Sequence, residues 1–529
     1  MRDFSEPGRS PVYATNAMCA TSHPLASQAA IESLRAGGNA VDAAITAAAV
    51  LVVVEPHMTG IGGDCFALIA KPGADVIALS GAGRAPAAAT CDWYGEQGIT
   101  EIETTSPHAV TVPCAIDAWD RLAHDHGRLG LERLLAPAIS LAEDGFPVAP
   151  RVAHDWAGLT DKLALHPGAR KHLLPDGRAP DVGDIMRFPA LARTLRAIAK
   201  DGRDAFYSGE IAEDIVAELT ALGGLHTLED FAAQRAEYVE PVGCDYGTRH
   251  VLELPPSNQG LTALMMFRML ERLGDAFEGP ALSPRRYHIL MEAARLAYQA
   301  RDAFIADPGE AEVPVAHMLS DAFADELAGR IDPDRRRADL GPIPAPSGGD
   351  TVCLSVVDRD GLAVSFINSV YAGFGSGIVT RKTGIALHNR AQGFSLDPNH
   401  PSCIAPSKRP FHTLVPAMAL AAGEPWAVFG VMGAAFQPMG HVYVMSNMLD
   451  FAMDPQEAID FPRIFFEDGV LRAERSVPGN IVAGLRDMGH DVARAESPWG
   501  GAQMVLIDRE RGVLVGASDP RKDGLALGW

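Results

Sequence analysis

The sequence predicts a globular protein that contains both helices and strands, on three observations. Its 529 residues are 47% hydrophobic and 21% charged, which allows a sizeable core in one large domain or several smaller ones. Segments with helical periodicity and segments with strand character are interleaved along the chain. Near residues 343–349 the chain changes from helix-rich to strand-dominated sequence.

Two helices and one strand are predicted near the N-terminus. Residues 24–35 carry apolar side chains at helical spacing and end at Gly37-Gly38, a pair typical of a helix C-terminus. Residues 41–53 form an alanine-rich second helix, and so many small side chains predict close packing between layers. The short apolar run 65–70 is typical of a buried strand.

Helix-rich sequence continues through residues 115–240 and 260–335. The run Ile343-Pro344-Ala345-Pro346-Ser347-Gly348-Gly349 then predicts an exposed, poorly structured connector. Asp358-Arg359-Asp360-Gly361, set between two apolar runs, is a strong hairpin signal. Strands are predicted on both sides of that turn and later in the chain, at residues 352–357, 363–367, 427–431, 504–507 and 513–515.

Charge and hydropathy disfavour two classes of partner. A net charge of −22 argues against sequence-independent binding to nucleic acid, which relies on clustered Lys and Arg. Residues 1–10 lack the basic start and apolar core of a secretory signal, and the apolar run 44–54 is shorter than the roughly 20 residues that cross a bilayer. We therefore expect a cytoplasmic protein that binds neither nucleic acid nor a membrane.

Neither a disulfide framework nor a metal site is indicated. The seven cysteines are odd in number and lack the paired spacing of metal ligands, so we expect reduced core thiols. No set of His, Asp or Glu residues has metal-ligand spacing, and no cofactor is expected. The glycine-rich runs 60–63 and 81–83 lack the partners of a phosphate-binding loop, so we interpret them as turns.

Thr351 is the residue whose surroundings suggest chemistry. It follows Asp350 and opens the apolar run 352–357. Cleavage of the Asp350–Thr351 bond would place a hydroxyl nucleophile and an α-amine base, with a pKa of about 7.7 to 8.0, on one residue. The alternative is an ordinary β-branched residue at the start of a strand, and the local residues alone favour that alternative. The flexible connector shifts the balance, because such a segment before a buried strand suits a processing site.

Several short motifs occur in a fixed order between residues 37 and 521. They are Gly37-Gly38-Asn39-Ala40-Val41-Asp42-Ala43-Ala44, Thr351 with Ser355-Val356-Val357-Asp358 and Asp360-Gly361, Phe374-Gly375-Ser376-Gly377, Lys408-Arg409-Pro410, Gly430 with Gly433, and Ser518-Asp519-Pro520-Arg521. In this order they resemble the motifs of the γ-glutamyltransferase family of N-terminal nucleophile hydrolases. The resemblance covers nearly the whole chain.

The resemblance implies a protein of the α+β class, a four-layer αββα sandwich that is made as a proenzyme. Autocatalytic cleavage would give a large subunit, residues 1–350, and a small subunit, residues 351–529, which together form one αββα domain. Thr351 would be the nucleophile, with Ser369 at the position of a family Thr that hydrogen-bonds it. The backbone N–H groups of Gly433 and Ala434 would form the oxyanion hole, and Ala434 stands where the family usually has Gly. The resemblance leaves open whether two such processed molecules, each with one large and one small subunit, form a homodimer.

The residues that hold a γ-glutamyl group in better-known members of the family are mostly different in this chain. Arg390 stands in for an amide and Gly393 for an acid, so a substrate α-ammonium would be repelled and an anion favoured. We expect a small amide that bears a carboxylate but no α-amine, as in the members that hydrolyse oxamate or amides of dicarboxylic acids. The candidate substrate-binding residues are Arg84, Tyr371, Arg390, His412 and Thr413.

Several alternatives stay open at this point. Arg84 and Arg390 can instead form surface ion pairs, and His412 can be a core histidine whose hydrogen bonds are satisfied. A γ-glutamyl or glutathione substrate is the main alternative, since a shifted Arg84 or another loop residue can restore its binding. Other classes are an unprocessed, non-catalytic binding protein and a conventional Ser or Cys hydrolase, the latter with Cys353 beside His388 or His441.

Overall fold

The computed structural model describes residues 8–340, 350–467 and 469–529. The predicted connector at 343–349 lies outside these residues. Strands follow one another along the chain as β1 (Val12–Ala14), β2 (Met18–Thr21), β3 (Asp64–Ala70), β4 (Ile77–Gly81), β5 (Phe146–Pro147), β6 (Ile185–Met186), β7 (Glu237–Val239), β8 (Val242–Tyr246), β9 (Arg249–Glu253), β10 (Asp350–Val357), β11 (Ala363–Tyr371), β12 (Ala417–Ala421), β13 (Glu424–Met432), β14 (Ile464–Glu467), β15 (Val470–Ala473), β16 (Val492–Arg494), β17 (Gly501–Asp508), β18 (Val513–Ser518) and β19 (Leu525–Gly528).

The α-helices are α1 (Pro24–Arg35), α2 (Ala40–Val54), α3 (Cys91–Glu96), α4 (Ala115–His126), α5 (Leu131–Asp144), α6 (Pro150–Ala157), α7 (Thr160–Leu163), α8 (Pro167–Leu173), α9 (Pro189–Tyr207), α10 (Glu210–Ala221), α11 (Leu228–Ala233), α12 (Gly260–Leu273), α13 (Pro284–Phe304), α14 (Val315–Met318), α15 (Asp321–Ala328), α16 (Gln437–Leu449), α17 (Pro455–Asp460) and α18 (Gly479–Asp487). Short 3-10 segments lie at Pro107–Ala109, Pro175–Gly177, Gly274–Phe277, Arg390–Gly393 and Ala434–Phe436.

The first two helices confirm the prediction from local sequence. Helix α1 has the predicted bounds, with Pro24 in its first turn, where a missing N–H is not needed. Helix α2 begins one residue before the predicted start, because Asn39 and Asp42 form a capping box that satisfies the first free N–H groups. All of its residues are buried, which agrees with the predicted close packing.

Two seven-stranded antiparallel sheets form the centre of the molecule. Sheet I has the order β1-β18-β17-β13-β12-β9-β8, and sheet II has the order β19-β2-β10-β11-β3-β4-β7. Side chains of sheet II reach the backbone of sheet I: Ser355 Oγ donates to Gln503 O at 3.2 Å, and Ser365 Oγ donates to Phe429 O at 2.8 Å. The two sheets therefore pack face to face.

Helices cover the outer face of each sheet. Helices α1 and α2 contact β2, β10 and β11 of sheet II, and α12 and α16 contact β8, β9 and β13 of sheet I. The arrangement is a four-layer αββα sandwich of the α+β class, as predicted. In the part of the chain that the structure describes, no helix is both long and apolar enough to cross a membrane.

The predicted hairpin is present, but its second strand is longer than expected. Strands β10 and β11 pair antiparallel around the Asp358–Gly361 turn. The prediction ended β11 at Ile367, and the structure extends it to Tyr371. The strand continues because the buried Asn368 is satisfied, with its amide donating to Thr59 Oγ1 at 2.7 Å and its carbonyl accepting from Trp119 Nε1 at 3.2 Å.

Candidate active site

Thr351 faces Ser369 across the hairpin of β10 and β11. At this point the pairing register advances two residues on β10 and three on β11, so Ser369 and Val370 together oppose Thr351. Such a bulge reorients side chains and is common beside active sites. Thr351 Oγ1 donates to Ser369 Oγ at 3.3 Å, and the backbone N–H of Tyr371 donates to the same oxygen at 2.7 Å. Both hydroxyl residues are buried.

Tyr371 is the last residue of β11, and its side chain contacts Arg390. Its φ of +80° lies in the left-handed region, which is strained for a large side chain and is found mainly at functional sites. The guanidinium carbon of Arg390 lies 4.2 Å from the centroid of the Tyr371 ring, within the range of a cation–π interaction. Arg390 Nη1 donates to Thr413 Oγ1 at 2.9 Å. Three of the predicted substrate-binding residues are therefore in direct contact.

Arg390 is a buried cation with unused donors. Its side chain is 1% exposed, and Nε and Nη2 have no hydrogen-bond partner among the described residues. Burial lowers the pKa of Arg390 to about 10, while Asp64 and Tyr371 act in the opposite direction. The group is still charged at neutral pH. A buried charge with unpaired N–H groups is costly, and an anionic ligand with two oxygens would pair them.

His412 does not have a free ring nitrogen for a substrate. The backbone N–H of Leu414 donates to Nδ1 at 3.2 Å, and Nε2 lies 3.0 Å from Asp64 Oδ2. Burial, followed by Arg390 and His388, lowers the pKa of His412 well below its usual value, so the ring is neutral. The alternative of a satisfied core histidine thus fits its geometry better than direct binding of a carboxylate.

Asp64 is the site residue that sequence reasoning missed. It is the first residue of β3 and the cross-strand partner of Ser369, so it lies beside the predicted nucleophile. Its Oδ1 accepts from the backbone N–H of Gly83 at 3.0 Å, and Oδ2 faces both His412 and His388, the latter at 3.6 Å. A carboxylate at the start of an otherwise apolar, buried strand was a signal in the sequence that was not used.

Gly433 and Ala434 lie in the turn between β13 and α16. Gly433 has φ +123° and Ala434 has φ +47°, so the alanine adopts a left-handed conformation that favours glycine. Gln259 Nε2 donates both to Ala434 O and to Thr413 O, each at 2.8 Å. That amide ties the turn to the segment that contacts Arg390. The backbone at Ala434 thus keeps a conformation that glycine would adopt, and the oxyanion hole at Gly433 and Ala434 stays a prediction.

Arg84 does not join this group. Its Nη1 donates to Ser407 O and its Nη2 to Glu237 Oε1, each at 2.9 Å, and the side chain is 29% exposed. This is the surface ion pair that the sequence analysis gave as the alternative role of Arg84. Its role in binding a carboxylate stays a prediction that the geometry does not favour.

Gly393 has no room for the acid that other family members carry. A Cβ at this position would lie 2.3 Å from Phe411 O, so any side chain there requires a shift of the backbone. The position therefore supplies no negative charge to a substrate ammonium, in agreement with the sequence interpretation.

Cys353 has the environment of a core thiol. It is 1% exposed, its Sγ donates to Gly430 O at 3.2 Å, and burial raises its pKa to about 12. His441 pairs with Glu253, and His388 contacts Thr111, so neither histidine serves as its base. The geometry disfavours a Cys hydrolase.

One histidine and glutamate cluster of the described residues has a metal-like arrangement. Ligand atoms of His288, Glu292 and His490 lie within 4.8 Å of one another. His288 Nδ1 and His490 Nε2 are only 2.7 Å apart, a hydrogen-bond distance that is too short for two ligands of one zinc ion. Glu292 is already paired with Arg295 at 2.7 Å. We interpret the cluster as a buried hydrogen-bond network between α13 and the α18–β16 connection.

Comparison with known proteins gives a consistent result. The family described as Gamma-glutamyltranspeptidase matches residues 26–529. A glutathione hydrolase-like proenzyme of Bacillus subtilis is 37% identical over 526 residues, which are 98% of this chain and 99% of the relative. An oxamate amidohydrolase proenzyme of Klebsiella pneumoniae is 39% identical over 530 residues, 97% of this chain and 99% of the relative.

The fold is also that of a solved enzyme. The crystal structure of cephalosporin acylase from Bacillus halodurans aligns with a TM-score of 0.93 and 40% identity, over 100% of this chain and 99% of that chain. The relatives thus share the whole length of the chain while their names give three different activities.

Proposed function

The chain belongs to the gamma-glutamyltranspeptidase family of N-terminal nucleophile hydrolases, and on that premise we propose that Thr351 is the nucleophile of a self-processing amidohydrolase. In processing, Thr351 Oγ1 attacks the carbonyl carbon of Asp350. An ester C–O bond forms, the peptide C–N bond breaks, and the Thr351 nitrogen takes up the hydroxyl proton. Water then hydrolyses the ester, which leaves a carboxylate on Asp350 and a free amine on Thr351.

The sheets would hold the two products of cleavage together. In sheet II, β10 and β11 of residues 351–529 lie between β2 and β3 of residues 1–350. Separation of the two subunits would break hydrogen-bonded strand pairs on both sides of this hairpin. Both subunits therefore remain parts of one αββα domain, and the names of two relatives as proenzymes support the processing step.

In turnover, the Thr351 amine takes the proton of its own hydroxyl as Oγ1 attacks the substrate amide. The oxyanion is stabilised by the backbone N–H groups of Gly433 and Ala434, and Ser369 orients the nucleophile. Collapse of the intermediate breaks the amide C–N bond and releases ammonia or an amine, which takes the proton. Water hydrolyses the acyl-enzyme ester and regenerates Thr351.

We propose that the substrate is the amide of a small carboxylic acid that has no α-amine, such as oxamate. The observation that carries this proposal is Arg390, a buried cation with two unpartnered nitrogens next to Tyr371 and Thr413. A substrate carboxylate would accept from those two nitrogens. The 39% identity to an oxamate amidohydrolase supports the same class of substrate.

A γ-glutamyl amide is the second candidate, because the site contains one acid that the sequence interpretation did not include. Asp64 lies near Arg390 and, if ionised, can attract a substrate ammonium. The relative named glutathione hydrolase-like supports this alternative.

A substrate comparison tests the proposal. The purified protein should show two fragments in denaturing electrophoresis, the smaller one starting Thr-Val-Cys-Leu, and Thr351→Ala should give one uncut, inactive chain. The processed enzyme is then offered oxamate, oxamide, glutathione and a glutaryl amide, with release of ammonia or amine as the readout. We expect faster release of ammonia or amine from an amide that carries a carboxylate, such as oxamate, than from oxamide or glutathione.

Arg390 variants identify the binding group. Arg390→Met should raise KM for oxamate at least tenfold with a smaller effect on kcat, whereas Arg390→Lys should retain part of the affinity because it keeps the charge but not the planar fork. A preference for glutathione over every carboxylate amide, or an unchanged KM in Arg390→Met, would overturn the proposed substrate class.

A further inference from the structure

Asp64 is a buried carboxyl group that the proposed mechanism leaves without a role. It is 0% exposed, and its charge interacts with that of Arg390, the group proposed to bind the substrate carboxylate. The charge on Asp64 therefore sets the net charge of the pair, and with it the strength of the attraction between Arg390 and an anionic substrate.

The hydrogen bonds around Asp64 indicate where a proton lies. His412 Nδ1 accepts from the N–H of Leu414 at 3.2 Å, so the ring proton is on Nε2, which donates to Asp64 Oδ2 at 3.0 Å. His388 Nε2 lies 2.9 Å from the carbonyl oxygen of Thr111, which can only accept, and 3.1 Å from Thr111 Oγ1, which can accept as well. We therefore assign the proton of that ring to Nε2. His388 Nδ1 then presents a lone pair to Asp64 Oδ2 at 3.6 Å.

That lone pair is unfavourable beside a carboxylate and favourable beside a carboxylic acid. His388 Nδ1 is buried and has no hydrogen-bond partner among the described residues. Burial lowers the pKa of His388 to about 3, so the ring does not gain a second proton at neutral pH. A proton on Asp64 Oδ2 would instead point toward Nδ1. Burial acts in the same direction and raises the pKa of Asp64 to about 7, with Arg390 and two backbone N–H groups opposing it.

We infer that Asp64 is a positioning residue that acts through Arg390, and that a carboxylate substrate binds together with a proton taken up by Asp64. With Asp64 neutral, Arg390 is an uncompensated cation and binds the substrate carboxylate. With Asp64 ionised, the pair is close to neutral and the anion binds more weakly. The proton comes from solvent and returns to it on product release. This inference rests on the proposed carboxylate substrate.

The ionisable groups around Asp64 other than Arg390 are neutral near pH 7. Burial raises the pKa of two neighbouring thiols well above the usual range and lowers the pKa of two histidines, which leaves Arg390 as the charged member of this described set. The ionisable groups that contact Asp64 or interact with its charge are Cys65 on β3, Cys114 before α4, His388, Arg390 and His412.

Calorimetry of oxalate binding to the processed enzyme tests the inference directly. Oxalate is the expected product of oxamate hydrolysis, carries the carboxylate and does not react. Titrations in buffers with different ionisation enthalpies give the number of protons taken up. We expect about half a proton at pH 7, approaching one at pH 8, and an affinity that falls about tenfold per pH unit above pH 7. Oxamide, which has no carboxylate, should show no such dependence in KM.

Asp64→Asn removes the ionisable group at residue 64 and keeps the Thr351 amine, which also titrates near pH 8. A comparison with the wild type therefore shows which of the two groups takes up the proton. In the variant, the affinity for oxalate should no longer fall about tenfold per pH unit above pH 7. The variant should also take up fewer protons on binding oxalate than the wild type does at the same pH. If the variant is too unstable to measure, the pH profiles of KM for oxamate and oxamide in the wild type decide the matter.

The outcomes distinguish this inference from the proposed function. Binding of oxalate without proton uptake, or parallel pH profiles for oxamate and oxamide, would overturn the role of Asp64 and leave the carboxylate substrate intact. Failure of every carboxylate to bind would reject the proposed function itself, and the inference with it.

Discussion

The Thr351 and Ser369 hydroxyl groups lie 3.3 Å apart across a bulge in the β10–β11 hairpin. Ser369 is also the cross-strand partner of Asp64, so one residue connects the nucleophile to the charged part of the site. The backbone N–H of Tyr371 donates to Ser369 Oγ at 2.7 Å and fixes its position. The proposed nucleophile is thus held by a residue whose own position is set by the local backbone.

Replacement of Ser369 tests this relationship. Ser369→Ala should slow both processing and turnover by about ten- to a hundredfold, the value of one or two hydrogen bonds to a reacting group. Ser369→Thr should retain both reactions because it keeps the hydroxyl. The measurements are the rate at which two fragments appear on a denaturing gel and the kcat of fully processed enzyme. Full-speed reactions in Ser369→Ala would contradict the role.

Replacement of Cys353 should leave the chemistry intact. Its thiol is buried between the sheets and donates to Gly430 O, so Cys353→Ala removes packing and should cost about 1 kcal/mol of unfolding free energy. Processing and kcat should remain close to wild type, in contrast to Thr351→Ala. Denaturant unfolding and the same activity assay give both numbers. A dead but folded Cys353→Ala would make Cys353 the nucleophile.

An acid introduced at Gly393 should not create a γ-glutamyl site. Because a Cβ would lie 2.3 Å from Phe411 O, we expect Gly393→Asp to destabilise the protein by more than about 2 kcal/mol. Gly130→Asp is the matched control, since Gly130 is the N-cap of α5 and no atom lies within 4 Å of its added Cβ. The control should be neutral or stabilising in thermal unfolding. A stable Gly393→Asp that hydrolyses glutathione would show that the pocket adapts.

The buried His226 should make the free energy of unfolding fall at acid pH. Burial lowers the pKa of His226 to about 4, and its Nε2 lies 2.9 Å from Val110 O. The unfolded chain binds a proton at this residue below about pH 6.5, while the folded chain does so only near pH 4, so stability is lost as the pH falls through that window. The loss amounts to as much as about 3 kcal/mol.

Unfolding free energies at several pH values between 6.5 and 4 check this expectation. His226→Asn should lose less stability than the wild type over the window, whatever its absolute stability. His124→Asn, at an exposed position of α4, should keep the wild-type slope. Equal slopes in all three proteins would mean that His226 is not the group responsible.

The comparison of Arg84 with Arg390 explains why some site residues were predicted better than others. Both arginines were selected from the motifs around them. Arg390 is buried against Tyr371, whereas the guanidinium of Arg84 pairs with Glu237, 153 positions later in the chain. No local pattern contains that partner. The same holds for His412, whose ring is engaged by Asp64, 348 positions earlier.

The sequence by itself determined the secondary structure around the site and the type of reaction. Helix α1 and the β10–β11 hairpin depend on residues that are close in the chain, so local propensity and spacing identify them. The interpretation of Thr351 and of the reaction type came from the ordered motifs on both sides of it, because the local residues alone favour an ordinary strand residue. The tertiary structure alone decided the charge of the pocket. That charge depends on Arg390, Asp64, His388 and His412, which come from separate segments, and on their burial, which sets both their protonation and the strength of their interactions.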